Sequence, residues 1–289
     1  MDIQFGKYGY IVEADIKGFF DNINHDWLIR MLEQRIQDRA FIRLIKKWLK
    51  AGILDKSEVK HPVTGTPQGG IISPILANIY LHYVIDLWME KVIKPRNTGM
   101  THIVRYADDF VCAFQYKHEA EQFLRKVKER LLKFGLETAE DKTKLVSFSR
   151  FRQEEKTSFD FLGFEFRWGY DRKGLERLKR RTSRKKLQAS IKSFREWIKV
   201  YRNKRINIIF EKLNAKLRGY YNYYGIRGNS DSLELFFRQM YWLLFKWLNR
   251  RSQRRSFNLQ GFEELLKHFR IEMPRITEKR GNGQRECLV

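Results

Sequence analysis

Cysteine is scarce, with Cys112 and Cys287 the two in 289 residues. They form no metal-binding pair, and so few thiols fit a reducing compartment, which makes the cytoplasm the expected location. Long apolar runs are missing too. Even Ile71 to Leu81 is broken by Ser73, Pro74 and Asn78, so nothing reaches the roughly 20 residues of a membrane span. No charged start leads into an apolar stretch and a small-residue cleavage site, which removes the signal for secretion. There is no Gly-rich phosphate loop, no Ser-His-Asp order and no zinc quartet. Internal repeats and low-complexity tracts are absent except for a basic cluster over 177–186.

What is present is a globular composition, 43% hydrophobic with 15% aromatic, long enough for two or three modest domains. The net charge is +24 and unevenly placed. Residues 167–289 carry 32 Lys and Arg against 11 Asp and Glu; the remainder carries 26 against 23. A near-neutral first part joined to a strongly basic second part points to a polyanion on the latter. The basic segments are interleaved with Tyr and Trp, which favours nucleic acid over an acidic membrane surface.

The pattern predicts a strand over 8–16 ending at Asp15, then a helix over 26–50 with a break near Asp38. A Gly- and Pro-punctuated loop and hairpin follow over 51–70, and an apolar helix opens at Ser73 or Pro74. Two short strands, 102–104 and 110–114, flank Tyr106-Ala107-Asp108-Asp109, a hairpin with the acidic pair at its turn. A helix over 118–134 ends at Gly135, and strands over 144–148 and 159–167 come next. Beyond Gly174 the pattern is helical almost throughout, with breaks near 203–206, 225–230 and 252–258. The first part therefore reads as α+β.

Nucleotidyl transfer uses two divalent metals, one activating a 3′-hydroxyl and one holding a triphosphate. Magnesium takes oxygen ligands, commonly one or two carboxylates with phosphates and water. Asp15 closing one strand and Asp108-Asp109 at a hairpin turn converge if their strands are neighbours. Adjacent strand residues face opposite ways, so the pair plays unequal roles. An Asp pair at a turn is in itself commonplace, because Asp favours turns for local hydrogen-bonding reasons.

Four strings supply the wider context. Tyr106-Ala107-Asp108-Asp109 resembles the YADD box of group II intron reverse transcriptases. Residues 13–23, EADIKGFFDNI, resemble the acidic block before it. Residues 65–74, GTPQGGIISP, resemble the PQG block, and Phe161-Leu162-Gly163-Phe164 the block closing the palm. All four stand in the family's order.

The resemblance implies a right-hand polymerase palm, a small antiparallel sheet packed on helices, followed by an all-α thumb and maturase domain. It divides the chain into a partial palm (1–167), a helical thumb (168–250) and a basic C-terminal segment (251–289), the last read as a DNA-binding remnant. It implies that Asp15, Asp108 and Asp109, with the Ile16 carbonyl, hold two Mg²⁺ ions. Phe20 would lie under the incoming sugar and exclude a 2′-hydroxyl, with Phe19 as core. Gln68 and Gly69 would line the nucleotide pocket, with Gly70 letting backbone approach closely, and Lys142 would meet the triphosphate. Tyr106, Leu162 and Gly163 are expected at the nucleic acid. His25, at a helix start, fits capping or packing better than catalysis.

In the second part, Arg177, Lys179, Arg180, Arg181, Arg184, Lys185 and Lys186 form a broad positive end suited to phosphates, and Arg218 joins them. Residues 213–225, LNAKLRGYYNYYG, resemble the maturase-specific segment, whose tyrosines either stack on unpaired bases or pack between helices. The expected partners are intron RNA template, DNA primer and deoxynucleoside triphosphates. The chain starts just before the Asp15 strand, so the expectation is a truncated enzyme that a separate fingers-containing chain would complement. Cys and His at endonuclease-like spacings are lacking, so no DNA cleavage is expected. The alternatives are a polymerase-deficient RNA-binding maturase and a relative serving phage defence or CRISPR adaptation.

Overall fold

A computed structural model describes residues 7–50, 53–55, 58–60, 72–149, 157–171, 173–251 and 256–279. The chain divides into two compact units, Met1–Phe161 and Leu162–Val289. The first unit runs β1 (Tyr10–Ala14), β2 (Ile16–Lys17), α1 (His25–Glu33), α2 (Arg39–Lys50), β3 (Ile53–Asp55), β4 (Glu58–Lys60), α3 (Ser73–Leu81), β5 (Thr101–Tyr106), β6 (Asp109–Phe114), α4 (Lys117–Lys133), β7 (Glu137–Thr138), β8 (Lys144–Ser147) and β9 (Ser158–Phe161).

Its main sheet is antiparallel with strand order β5-β6-β1-β8. Alternation sends Val12, Ala14, Phe110, Cys112 and Phe114 into the core shared with the helices. Ile11, Glu13, Val111 and Ala113 take the other face. Small two-stranded pairings join β2 to β7 and β3 to β4. This is the α+β architecture that the pattern predicts.

Local chemistry sets the helix ends. The Asn24 side chain accepts from the Trp27 amide at 3.0 Å and caps α1. Asp38 Oδ1 accepts from Ala40 N at 2.7 Å and Phe41 N at 3.1 Å, opening α2 at the expected break. Helix α3 starts with Pro74 in its first turn and continues into π-helical turns at His82–Asp86 and Met89–Ile93. Arg130 caps the first of these, donating to the Val84 carbonyl at 3.0 Å and the Tyr83 carbonyl at 3.2 Å. Gly135 (φ +75°) ends α4: its amide reaches Leu132 O at 3.0 Å, and the next amide, Leu136, reaches Leu131 O at 2.9 Å. A left-handed residue is required there, and glycine adopts it without a Cβ penalty.

The second unit opens with β10 (Phe164–Tyr170) and β11 (Glu176–Thr182), then α5 (Arg184–Tyr201), α6 (Ile206–Tyr224), α7 (Ser230–Leu248) and α8 (Leu259–His268). Strand β11 corrects the helical expectation beyond Gly174. The basic residues of 177–181 are in a strand because each finds a register partner on β10, from Phe164↔Thr182 to Tyr170↔Glu176. Asp171 shapes the turn between them, accepting from the Lys173 and Leu175 amides at 2.8 and 2.9 Å. The strand expected over 159–167 is interrupted by a turn at Leu162 (φ +50°) and Gly163 (φ +79°).

Residues 259–279 belong to the packing of this unit: Phe262 and Leu266 enter the core with Phe210, Tyr221, Met240 and Leu244. The final stretch docks on α6, with Thr277 N donating to Gly225 O at 2.7 Å and Thr277 Oγ1 to Tyr221 O at 2.9 Å. Gly225 is needed because a Cβ there would stand 2.8 Å from the Arg275 carbonyl. Among the described residues no helix is long and apolar enough to cross a membrane.

Candidate active site

The last registered pair of the central ladder is Ala14↔Phe110. One step further, Asp15 follows Ala14 and Asp109 precedes Phe110, so the two residues adjoin the same end of the ladder. Both continue the face carrying Glu13 and Val111, away from the helical core. On the other side of Asp109 its β5 partner is Tyr106, which is 67% exposed. Ala107 and Asp108 form the two-residue turn, and Ala107 adopts φ +53°. Asp109 is exposed and Asp108 half-buried.

Lys142 completes the cluster. Its ammonium donates to Asp15 Oδ2 at 2.6 Å. The loop that carries it is tied to Asp15 by backbone: Ala139 N donates to Asp15 O at 2.9 Å, and Lys142 N to Ala139 O at 3.1 Å. The hydrogen bond and charge of Asp15 raise the Lys142 pKa, with Asp141 and Asp109 adding. Asp15 and Asp109 thus act on one cation. Carboxylate oxygens suit a hard divalent ion in chemistry. Among the described residues, however, no three His, Cys, Asp or Glu side chains gather closely enough to form a metal cluster.

Glu13 lies two residues before Asp15 on the same face. Burial pushes its carboxyl up, opposed by the Lys144 ammonium 3.3 Å away, and it accepts from the Asp160 amide at 3.2 Å. Ile16 is buried and pairs with Thr138 between β2 and β7. Phe19 enters the core; Phe20 packs on its edge, ring centroids 5.4 Å apart. Gln68 and Gly69 lie outside the described residues. His25 is the first residue of α1, whose cap is Asn24.

The acidic turn is held by contacts from elements distant in the chain. Arg105 Nε and Nη2 grip Asp86 at 2.8 and 2.5 Å, while Nη1 donates to Asn78 Oδ1 at 3.0 Å and to the Ala107 carbonyl at 2.9 Å. An Arg beside the turn was visible in the sequence. Its partners, 19 and 27 residues earlier, become visible only once α3 and its π-helical extension lie under β5.

In the second unit the basic residues separate into two groups. Arg177 pairs with Asp171 at 3.2 Å, Arg180 with Glu278 at 2.7 Å and Arg218 with Glu272 at 3.2 Å. Arg181 grips Glu165 with two bonds of 2.7 and 2.9 Å, and Lys179 lies over Gly169. Arg184, Lys185 and Lys186 are exposed on the first turn of α5. Leu162 accepts from the Tyr223 hydroxyl at 2.9 Å, and Gly163 O from the Ser183 amide at 2.9 Å. Of the maturase-like tyrosines, Tyr221 is core and Tyr220 stacks on Phe236 at 3.9 Å. Tyr223 is exposed and stacks on Phe164 at 5.7 Å.

Residues 3–166 match the family described as reverse transcriptase (RNA-dependent DNA polymerase). The group II intron-encoded protein LtrA of Lactococcus lactis subsp. cremoris is 27% identical over 81% of this chain and 51% of its own length. A 91 kDa protein in a cob intron of Schizosaccharomyces pombe is 56% identical over 28% of this chain and 10% of its own. Among solved structures, apo telomerase from Candida tropicalis aligns with 91% of this chain and 45% of its own, at 13% identity and a TM-score of 0.47. The chain thus spans about half the length of the LtrA protein. It is homologous to group II intron-encoded proteins, and it belongs to the reverse transcriptase (RNA-dependent DNA polymerase) family.

Proposed function

We propose that the chain is an RNA-directed DNA polymerase of group II intron type, its first unit a palm and its second a thumb that binds intron RNA. The observation that carries this reading is the β1–β6 register ending at Ala14↔Phe110, with Asp15 and Asp109 the adjoining residues and both acting on the Lys142 ammonium. In this reading Asp15, Asp108 and Asp109, with the Ile16 carbonyl, hold two Mg²⁺ ions. Bound there, the metals supply activation of the primer 3′-hydroxyl and neutralisation of the triphosphate. Phe20 lies under the sugar and rejects a 2′-hydroxyl. Gln68 and Gly69 line the nucleotide pocket. Lys142, 62% exposed on its loop, moves from Asp15 to the incoming triphosphate. Tyr106 faces the primer end.

The RNA-binding half of the proposal is supported by charge. Cations in a first helical turn face the positive end of the helix dipole, an arrangement that costs stability unless an anion offsets it. Arg184, Lys185 and Lys186 occupy that position on α5, and an RNA backbone would supply the anion. On β11, Lys179 adds to this charge in the same reading, whereas Arg177, Arg180 and Arg181 are each paired with a carboxylate, Asp171, Glu278 and Glu165.

The test is primer extension on an RNA template with Mg²⁺, comparing the chain with an Asp108→Ala, Asp109→Ala double variant. Extension lost in the variant supports the assignment; extension that persists overturns it. Absence of extension in both, beside tight and salt-sensitive binding to structured RNA, selects the second reading, a maturase that binds intron RNA without polymerising. The 32 basic against 11 acidic residues of 167–289 support the RNA binding that both readings share.

A further inference from the structure

The acidic turn does not hold its own shape. Ala107 occupies the left-handed region at φ +53°, where a residue with a Cβ is strained and persists only if its surroundings fix it. One side chain does so. Arg105 is 12% exposed, and its guanidinium makes four hydrogen bonds: two to Asp86, one to Asn78 and one to the Ala107 carbonyl. Asp86 itself ends a π-helical turn whose Tyr83 and Val84 carbonyls are capped by Arg130. Single π-helical turns of this kind recur at functional sites. The chain of contacts therefore runs from a buttressed helix, through Asp86 and Arg105, to the backbone between Tyr106 and Asp108.

We propose that Arg105 is a positioning residue: its planar fork fixes the Ala107–Asp108 turn, and with it the place of Asp109 near Asp15, where a divalent cation would bind. The proposal rests on the metal-site reading above. A fork is required because three acceptors in different directions are served at once. A lysine ammonium would keep the charge but not the geometry. An ordinary structural ion pair would alter stability alone, whereas a positioning pair also sets cation affinity. Partners one step removed from a ligand typically change metal affinity 10–100-fold.

The experiment is Mn²⁺ binding to the full chain, followed by the electron paramagnetic resonance signal of the free ion at a temperature well below melting. Arg105→Lys should weaken binding about ten-fold with circular dichroism unchanged. Asp86→Asn, which loosens the anchor but leaves the arginine, should weaken it less. Wild-type affinity in Arg105→Lys, with affinity lost in Asp109→Asn, overturns the role of Arg105 and leaves the site standing. Wild-type affinity in Asp15→Asn and Asp109→Asn overturns the site reading, and the Arg105 role with it. Should Arg105→Lys fail to fold, Asp86→Asn decides: unchanged affinity refutes the proposal and weakened affinity supports it.

Discussion

The ammonium of Lys142 sits 2.6 Å from a carboxylate oxygen of Asp15, a residue 127 positions earlier in the chain. With Lys142 mostly exposed, the pair contributes little to stability, about 0–1 kcal/mol. Its consequence is competition, because the ammonium holds an oxygen that a metal would use. Lys142→Met should leave the melting temperature nearly unchanged. It should tighten Mn²⁺ binding without nucleotide by at least about five-fold, since a unit charge about 4 Å away in water is worth about 1 kcal/mol per unit of ion charge. Primer extension should fall, since the triphosphate loses its cation. Titrations with and without nucleotide check this; weaker Mn²⁺ binding in the variant would show that the ammonium does not compete.

Ala107 at φ +53° carries strain that glycine would not. Ala107→Gly should gain up to about 1 kcal/mol, reduced by the greater entropy of the unfolded chain. Ala107→Val should lose more than that, since β-branching is worse in this region. Urea midpoints measure both. A valine variant as stable as the wild type would argue against a left-handed turn.

Much of this was legible in the sequence, and the failures are instructive. Strand β1, the hairpin at Tyr106–Asp109, the Asp38 break and the Gly135 stop all follow from local patterns: apolar alternation, a capping side chain, a left-handed glycine. Strand β11 did not. Arg177 to Arg181 have no apolar alternation, and what makes them a strand is pairing with Phe164–Tyr170, a tertiary fact. The Arg105–Asp86 pair was hidden for the same reason, and Gln68 and Gly69 rest on motif alone. Composition did reveal the charge asymmetry. It could not reveal that Arg180, Arg181 and Arg218 would be held by Glu278, Glu165 and Glu272.

Asn229 is fully buried and joins the hairpin to the helices. Its Oδ1 accepts from Thr182 N at 2.8 Å, and its Nδ2 donates to Thr182 Oγ1 and Tyr224 O, each at 2.8 Å. Asn229→Ala strands these groups in a dry interior, where each unsatisfied one costs about 1–3 kcal/mol. A net loss of about 3 kcal/mol is expected after partial relaxation. Asn229→Asp should also destabilise, because a carboxylate cannot donate to the Tyr224 carbonyl. Chemical denaturation of each variant measures the cost; a loss under about 0.5 kcal/mol, the level of a plain surface change, would contradict this role.

Glu278 gives the second unit an acid-sensitive latch. Burial raises its pKa, but the Arg227 amide at 2.7 Å and the Arg180 guanidinium at 2.7 Å outweigh that and hold it below the ordinary value of 4.5. A carboxyl whose folded pKa is depressed stabilises the native state above its unfolded pKa, and that stability disappears as pH falls through the folded pKa. The segment 271–279, docked on α6 through Thr277 and Glu272, should therefore loosen in acid below about pH 4.5 before the helical core opens. Hydrogen exchange at the Thr277 and Glu278 amides, which both donate to Gly225 O, reads this directly. Glu278→Gln should exchange faster at neutral pH and lose the acid-dependent increment. Equal pH dependence in variant and wild type would assign the latch to another carboxylate, with Glu272, bound to Arg218 and Arg275, the next to substitute.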